Sequence, residues 1–117
     1  MLKLLFVLLL IATAASAKWI TSTIDSPDGD ISGLAWGDGH LWAMDAVSDS
    51  VYKLDPATGD IISSFYFNHA ATTVPTGLAY SENHNMVLCG GWYISNGYVY
   101  KYSPTGSYLG MVNMCGG

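Results

Sequence analysis

The chain is poor in positive charge. Its four basic residues are all lysines, nine residues are acidic, and the formal net charge is −5 at pH 7. Proteins that bind nucleic acid rely on clusters of Lys and Arg to neutralise phosphate, and anionic membranes attract similar clusters. The sequence contains no arginine and no basic cluster. The composition therefore argues against nucleic acid and anionic lipid surfaces as partners.

Several chemical signatures are also missing. Cys89 and Cys115 are the two cysteines, and no CxxC pair suggests a zinc site. The residues show neither a Ser-His-Asp order nor a nucleophile elbow, so no catalytic set is predicted. No apolar period of 3.6 residues appears after residue 17, which favours strands over helices throughout.

Residues 1–17 have the pattern of a secretory signal peptide. Lys3 precedes the apolar run Leu4 to Ile11, and Ala15-Ser16-Ala17 fits the small-x-small cleavage rule. We expect cleavage after Ala17 and a secreted chain, extracellular or periplasmic, with no membrane attachment afterwards. An uncleaved N-terminal anchor is the alternative.

In such a compartment, Cys89 and Cys115 are expected to form a disulfide. Free thiols, or a partner cysteine in another chain, are the alternatives.

The most informative feature is an internal repeat. Gly33-Leu34-Ala35-Trp36 returns 44 positions later as Gly77-Leu78-Ala79-Tyr80, and Val51-Tyr52-Lys53-Leu54 returns 48 positions later as Val99-Tyr100-Lys101-Tyr102. The four extra residues are expected around Trp92 to Ser95, in a longer loop. A period of this length indicates a repeat architecture in which each copy is one supersecondary unit.

Each copy contains four short segments of strand character separated by turn residues, which we label strands a to d. The first copy has these segments at 31–36, 41–44, 50–54 and 61–67, and the second has them at 77–80, 86–89, 98–102 and 108–112. Asp55-Pro56-Ala57-Thr58-Gly59 between strands c and d is a turn by composition, with glycine free to take the left-handed conformation.

Four-stranded units of this length are typical of β-propeller blades. The segment from Gly33 to Phe65, GLAWGDGHLWAMDAVSDSVYKLDPATGDIISSF, resembles the blades of secreted NHL-like and glutaminyl-cyclase-like six-bladed propellers. The second copy departs from that pattern, because Cys89 is expected where Asp45 stands and Met86 where Trp42 stands. The resemblance implies an all-β partial propeller with two four-stranded antiparallel blades.

The predicted organisation has four parts. Residues 1–17 are the signal peptide, residues 18–30 an orphan strand with its loop, residues 31–74 blade 1 and residues 75–117 blade 2. The orphan strand resembles the outermost strand of a preceding or closing blade. Propellers typically contain four to eight blades. The chain is accordingly a fragment of a longer propeller, a homo-oligomer that completes one, or an open pair of sheets.

In a blade that runs from strand a to strand d, the d–a and b–c connections share one end of the sheet. We expect this end to bind ligand. The candidate residues there are Asp45, Asp49, His69, Trp92, Tyr93 and Asn96. For Asp45 the alternative is a turn cap, and for the aromatic residues it is packing along the seam between blades.

The same end carries a candidate cation site. Asp25, Asp28 and Asp30 offer hard oxygen ligands of the kind that Ca²⁺ prefers, although their spacing matches no established calcium loop. A solvated turn with aspartate caps is the alternative, and no other cofactor is predicted.

Two functions follow. The first is a secreted, non-catalytic module that binds a protein, peptide or carbohydrate through its loops. The second is part of a propeller enzyme similar to glutaminyl cyclases or to metal-dependent lactonases.

Overall fold

The computed structural model describes residues 19–20, 22–67, 74–93 and 96–114, and for Tyr93 the backbone alone. These ranges contain eight strands and no helix. The strands are β1 (Ile31–Gly37), β2 (His40–Asp45), β3 (Ser50–Leu54), β4 (Ile61–Tyr66), β5 (Val74–Ser81), β6 (Met86–Tyr93), β7 (Asn96–Tyr102) and β8 (Tyr108–Asn113). The predicted signal peptide, His69 and Cys115 lie outside the described residues.

The strands form two four-stranded antiparallel sheets. Sheet 1 has the order β1-β2-β3-β4 and sheet 2 the order β5-β6-β7-β8, so within each sheet a strand pairs with its neighbours in the chain. Gly59 and Gly106, in the turns between the third and fourth strand of each sheet, have φ of 81° and 93°. This left-handed conformation is costly for residues with a Cβ. The prediction of an all-β chain with two four-stranded units is confirmed.

The position predicted for the four extra residues is right for two of them and wrong for the other two. Trp36 pairs with Leu41 in sheet 1, whereas Tyr80 pairs with Val87 in sheet 2, so two extra residues lie in the turn between β5 and β6. The other two lengthen a hairpin, because β6 and β7 continue to pair as far as Tyr93 and Asn96. Residues 90–97, which the predicted strands b and c leave between them as a loop, are therefore largely a strand ladder.

This register also corrects the equivalence of residues in the second strands. Cys89 pairs with Leu78 as Ala43 pairs with Leu34. Cys89 is thus equivalent to Ala43 rather than to Asp45. By the same comparison, Leu88 and not Met86 occupies the place of Trp42.

The hydrophobic core lies between the two sheets, in a layer that we call the seam. Successive side chains of a strand point to opposite faces, so one face of each sheet supplies the seam. Sheet 1 and the residue after it contribute Trp42, Met44, Val51 and Phe67, and sheet 2 contributes Val87, Cys89, Tyr100 and Tyr102, all 4% exposed or less.

Aromatic pairs and glycines hold the seam together. Trp42 stacks on Tyr80 with ring centroids 5.5 Å apart, and Phe65 meets Tyr102 at 5.3 Å. A Cβ added to Gly33 would lie 2.7 Å from the backbone nitrogen of Leu78. Glycine at position 33 therefore lets the first strands of the two sheets approach at backbone distance.

The sheets pack in the same sense, front to back. Tyr80, Tyr100 and Tyr102 belong to the seam. Their equivalents in sheet 1 are Trp36, Tyr52 and Leu54, which the pairing register places on the face of sheet 1 that points away from sheet 2. Equivalent faces of the two sheets therefore point in the same direction. One face of each sheet is buried in the seam, and the two outer faces that remain are not equivalent to each other.

Residues 22–30, which we call the N-terminal segment, form no strand. The segment lies against the outer face of sheet 1. A Cβ on Gly59 would lie 3.0 Å from Cβ of Ile24, and one on the equivalent Gly106 would lie 2.5 Å from Cβ of Phe65 in β4. The N-terminal segment thus occupies on sheet 1 the position that β4 occupies on sheet 2. Pairing of this segment with another blade stays a prediction, and β8 already fills the fourth position of sheet 2.

Candidate functional site

Asp45 ends β2 and is buried, with 1% of its surface exposed. Its Oδ1 accepts hydrogen bonds from the backbone N–H groups of Val47 at 2.8 Å and Ser48 at 2.7 Å. Its Oδ2 accepts one from the backbone N–H of Asp30 at 2.7 Å. The side chain therefore caps its own turn and ties the N-terminal segment to sheet 1. This is the structural alternative to the ligand-binding role expected from the sequence.

The electrostatics agree with this role. Burial raises the pKa of the Asp45 carboxyl, but the hydrogen bonds from the N–H groups of Ser48, Asp30 and Val47 outweigh it and bring the pKa below its ordinary 3.8. Hydrogen bonds to the charged form favour ionisation. At neutral pH the group is a carboxylate with its acceptor sites directed at the backbone.

The three aspartates proposed for Ca²⁺ do not converge. Oδ2 of Asp28 accepts a hydrogen bond from the Tyr52 hydroxyl at 2.7 Å, and its Oδ1 accepts one from the backbone N–H of Gly29 at 2.8 Å. The Tyr52 bond is the largest cause of a lowered pKa at Asp28. Across the part of the chain that the structure describes, no three His, Cys, Asp or Glu side chains gather where they could hold a metal ion.

Asp49 also has a backbone role. Its φ is 55°, in the left-handed region that Asn and Asp tolerate better than most residues. Its carbonyl oxygen accepts a hydrogen bond from the backbone N–H of Phe67 at 2.7 Å. Asp49 thus joins the β2–β3 connection to the end of β4, while its side chain remains a candidate ligand.

The remaining candidates lie on the β6–β7 hairpin. Trp92 pairs with Gly97, and Asn96 pairs with Tyr93 at the last rung of the ladder. Trp92 is 49% exposed, and the register places it on the outer face of sheet 2. It therefore does not pack in the seam, which was the alternative expected from the sequence.

The topology brings the two groups of candidates to the same end of the molecule. Asp45 and Asp49 flank the β2–β3 connection, and Trp92 and Asn96 flank the equivalent β6–β7 connection. At the opposite end, the backbone N–H of Asp38 donates to Oε1 of Glu82 at 2.8 Å and joins the two first turns. Like ends of the sheets are therefore adjacent.

Cys89 is buried in the seam and forms no disulfide among the described residues. Burial raises its pKa to about 12, so the thiol is neutral at physiological pH and weakly reactive. The disulfide with Cys115 stays a prediction because its second member lies outside the described residues.

Two apolar faces remain open, in agreement with an open pair of sheets, one of the three arrangements expected from the number of blades. Leu34 and Trp36 are 62% and 60% exposed on the outer face of sheet 1. Successive side chains of a strand point to opposite faces, so the consecutive apolar residues Leu34, Ala35 and Trp36 make both faces of sheet 1 apolar. Two sheets provide only one seam, and one apolar face of each sheet stays open.

Comparison with known proteins finds no family model that matches the chain and no similar sequence among curated proteins. Within the described ranges, no helix is long and apolar enough to cross a membrane.

Proposed function

We propose that the chain is a secreted module of two propeller blades that binds a protein, peptide or carbohydrate without catalysing a reaction. The a-to-d strand order of both sheets and their front-to-back packing support the blade assignment, because a propeller repeats such sheets around an axis. The resemblance to NHL-like and glutaminyl-cyclase-like blades supports it independently.

One observation carries the binding proposal. Trp92 is half-exposed at 49%, near the tip of a hairpin that is longer than its counterpart in sheet 1. Asn96 pairs with Tyr93 and lies on the opposite face of the hairpin, so the indole carries the proposal: it combines a large apolar surface with one hydrogen-bond donor. This combination suits a sugar ring or an extended peptide.

Arrays of oligosaccharides and of short peptides, probed with the full chain, test the proposal. The best ligand is then titrated by calorimetry against wild type and Trp92→Ala. We expect the substitution to weaken binding at least about tenfold, as for a central aromatic contact. Tyr108→Ala, which removes a comparably exposed ring (46%) at the other end of sheet 2, should leave the affinity unchanged. Equal effects of the two substitutions would refute the site.

A further inference from the structure

Each sheet keeps one apolar face that the seam does not use. On the outer face of sheet 1, Leu34 and Trp36 are mostly exposed. On the outer face of sheet 2, Ala79, Leu88 and Val99 surround a shallow hollow. Open apolar patches of this kind mark interaction surfaces in soluble proteins.

The outer face of sheet 1 is equivalent to the seam face of sheet 2, and the outer face of sheet 2 is equivalent to the seam face of sheet 1. Leu34 and Trp36 correspond to Leu78 and Tyr80, which pack against the core from the side of sheet 2. Ala79 and Val99 correspond to Ala35 and Val51 on the side of sheet 1. The outer face of sheet 1 thus repeats one half of a buried interface, and the outer face of sheet 2 repeats the other half.

Gly77 gives a second, independent indication. Its equivalent, Gly33, must be glycine because a Cβ would lie 2.7 Å from the nitrogen of Leu78 in the next sheet. A Cβ on Gly77 would meet no atom of the described residues within 4 Å, and its φ lies outside the left-handed region. Gly77 borders an irregularity in the β5–β6 pairing, but at a φ outside the left-handed region this irregularity does not require glycine, whereas a docked sheet would require it.

We propose that copies of this chain associate head to tail, with the outer face of sheet 1 of one copy seated on the outer face of sheet 2 of the next. The contact repeats the seam between molecules, so that Leu34 of one copy approaches Gly77 of the other as Leu78 approaches Gly33. A head-to-tail contact joins two different surfaces. It therefore generates a closed ring or an open filament rather than an isolated symmetric dimer.

The N-terminal segment competes with this contact. In the seam, Phe65 of β4 lies against Gly106, and the residue equivalent to Phe65 in sheet 2 is Val112. In the docked arrangement Val112 would lie against Gly59 of the next copy. That place is held by Ile24, so the segment must move aside before two copies can join completely.

The test uses pairs of charged variants of the full chain, expressed from Met1 and purified in the form that the cell secretes. Trp36→Glu blocks only the outer face of sheet 1, and Ala79→Glu blocks only that of sheet 2. Light scattering and sedimentation should show larger species in the wild type as concentration rises. Each variant alone should stay monomeric, and an equimolar mixture should form a 1:1 complex and nothing larger.

Val47→Glu is the matched control, because it places the same charge on an exposed apolar residue (73% exposed) in the β2–β3 connection. It should associate like the wild type. Gly77→Ala adds one methyl group to open space and should keep the wild-type melting temperature while weakening association at least about tenfold. Ile24→Ser should strengthen association by loosening the competing segment.

Three results would overturn the proposal. The first is a wild type that stays monomeric at about 100 µM, a concentration well above the Kd of specific complexes. The second is a mixture of the two charged variants that stays monomeric. The third is self-association of Trp36→Glu alone. Circular dichroism of each variant establishes that it is folded, and Gly77→Ala tests the contact even if a charged variant unfolds.

Discussion

Substitution of Gly33 by alanine should force the two sheets apart. The added Cβ would lie 2.7 Å from the backbone nitrogen and 2.9 Å from a backbone carbon of the facing strand. These atoms belong to a hydrogen-bonded ladder and cannot rotate away as a side-chain end can. Overpacking of a well-packed core typically costs about 1–3 kcal/mol, and a backbone contact belongs at the upper end, about 2–3 kcal/mol. For a domain of this size, such a loss lowers the melting temperature by about 10–20 °C.

Gly77→Ala supplies the matched comparison, since the same substitution at the equivalent position enters open space. Alanine is favoured over glycine inside a strand by about 0.5–1 kcal/mol. Gly77→Ala should therefore melt at or slightly above the wild-type temperature. The measurement is thermal and urea unfolding followed by circular dichroism in dilute solution, where association is absent. Equal melting temperatures for the two variants would refute the described contact between β1 and β5.

Two further predictions concern buried titratable groups. Asp45→Ala should lower the free energy of unfolding by about 2–3 kcal/mol at pH 7, because three backbone N–H groups lose their acceptor. The carboxyl has a lowered pKa, so its stabilisation is present above its ordinary 3.8 and is lost as the pH falls below that value. Urea titrations should accordingly show the gap to wild type closing in acid, and a gap independent of pH would contradict this. For Cys89, a thiol reagent should react at least about 100-fold faster with the unfolded chain than with the native one at pH 8, since burial raises the pKa of the thiol to about 12. Rapid native labelling would contradict the burial, and a non-reduced mass lower by two hydrogen atoms would reveal the disulfide instead.

The repeat could be read from the sequence, because four-residue matches at two offsets define equivalent strands without any knowledge of their partners. Strand order followed, since short connections favour pairing of consecutive strands. The structure of residues 90–97 did not follow from the sequence. Gly90 to Gly97 is rich in glycine and aromatic residues, which suit a loop and a hairpin equally. The ladder that decides between them depends on hydrogen bonds to the partner strand.

The candidate site was less predictable than the fold. Asp45 was correctly suspected of capping its turn, but its bond to the N–H of Asp30 joins residues 15 positions apart and has no sequence signature. The sequence also did not show which apolar side chains are exposed. Alternation separates Trp36 from Ala35, yet it cannot say which of the two faces another sheet covers. That choice is made by packing between sheets.

The burial of Trp42 also provides a spectroscopic probe. Of the four tryptophans, Trp19, Trp36 and Trp92 are at least 49% exposed, whereas Trp42 is 1% exposed and donates its indole N–H to the carbonyl oxygen of Gly37 at 3.0 Å. A water-soluble quencher such as acrylamide should therefore remove most of the fluorescence at long wavelength. The emission that remains should be blue-shifted and come from the Trp42 indole. That residual emission would report on the contact between the two sheets in real time, without a label.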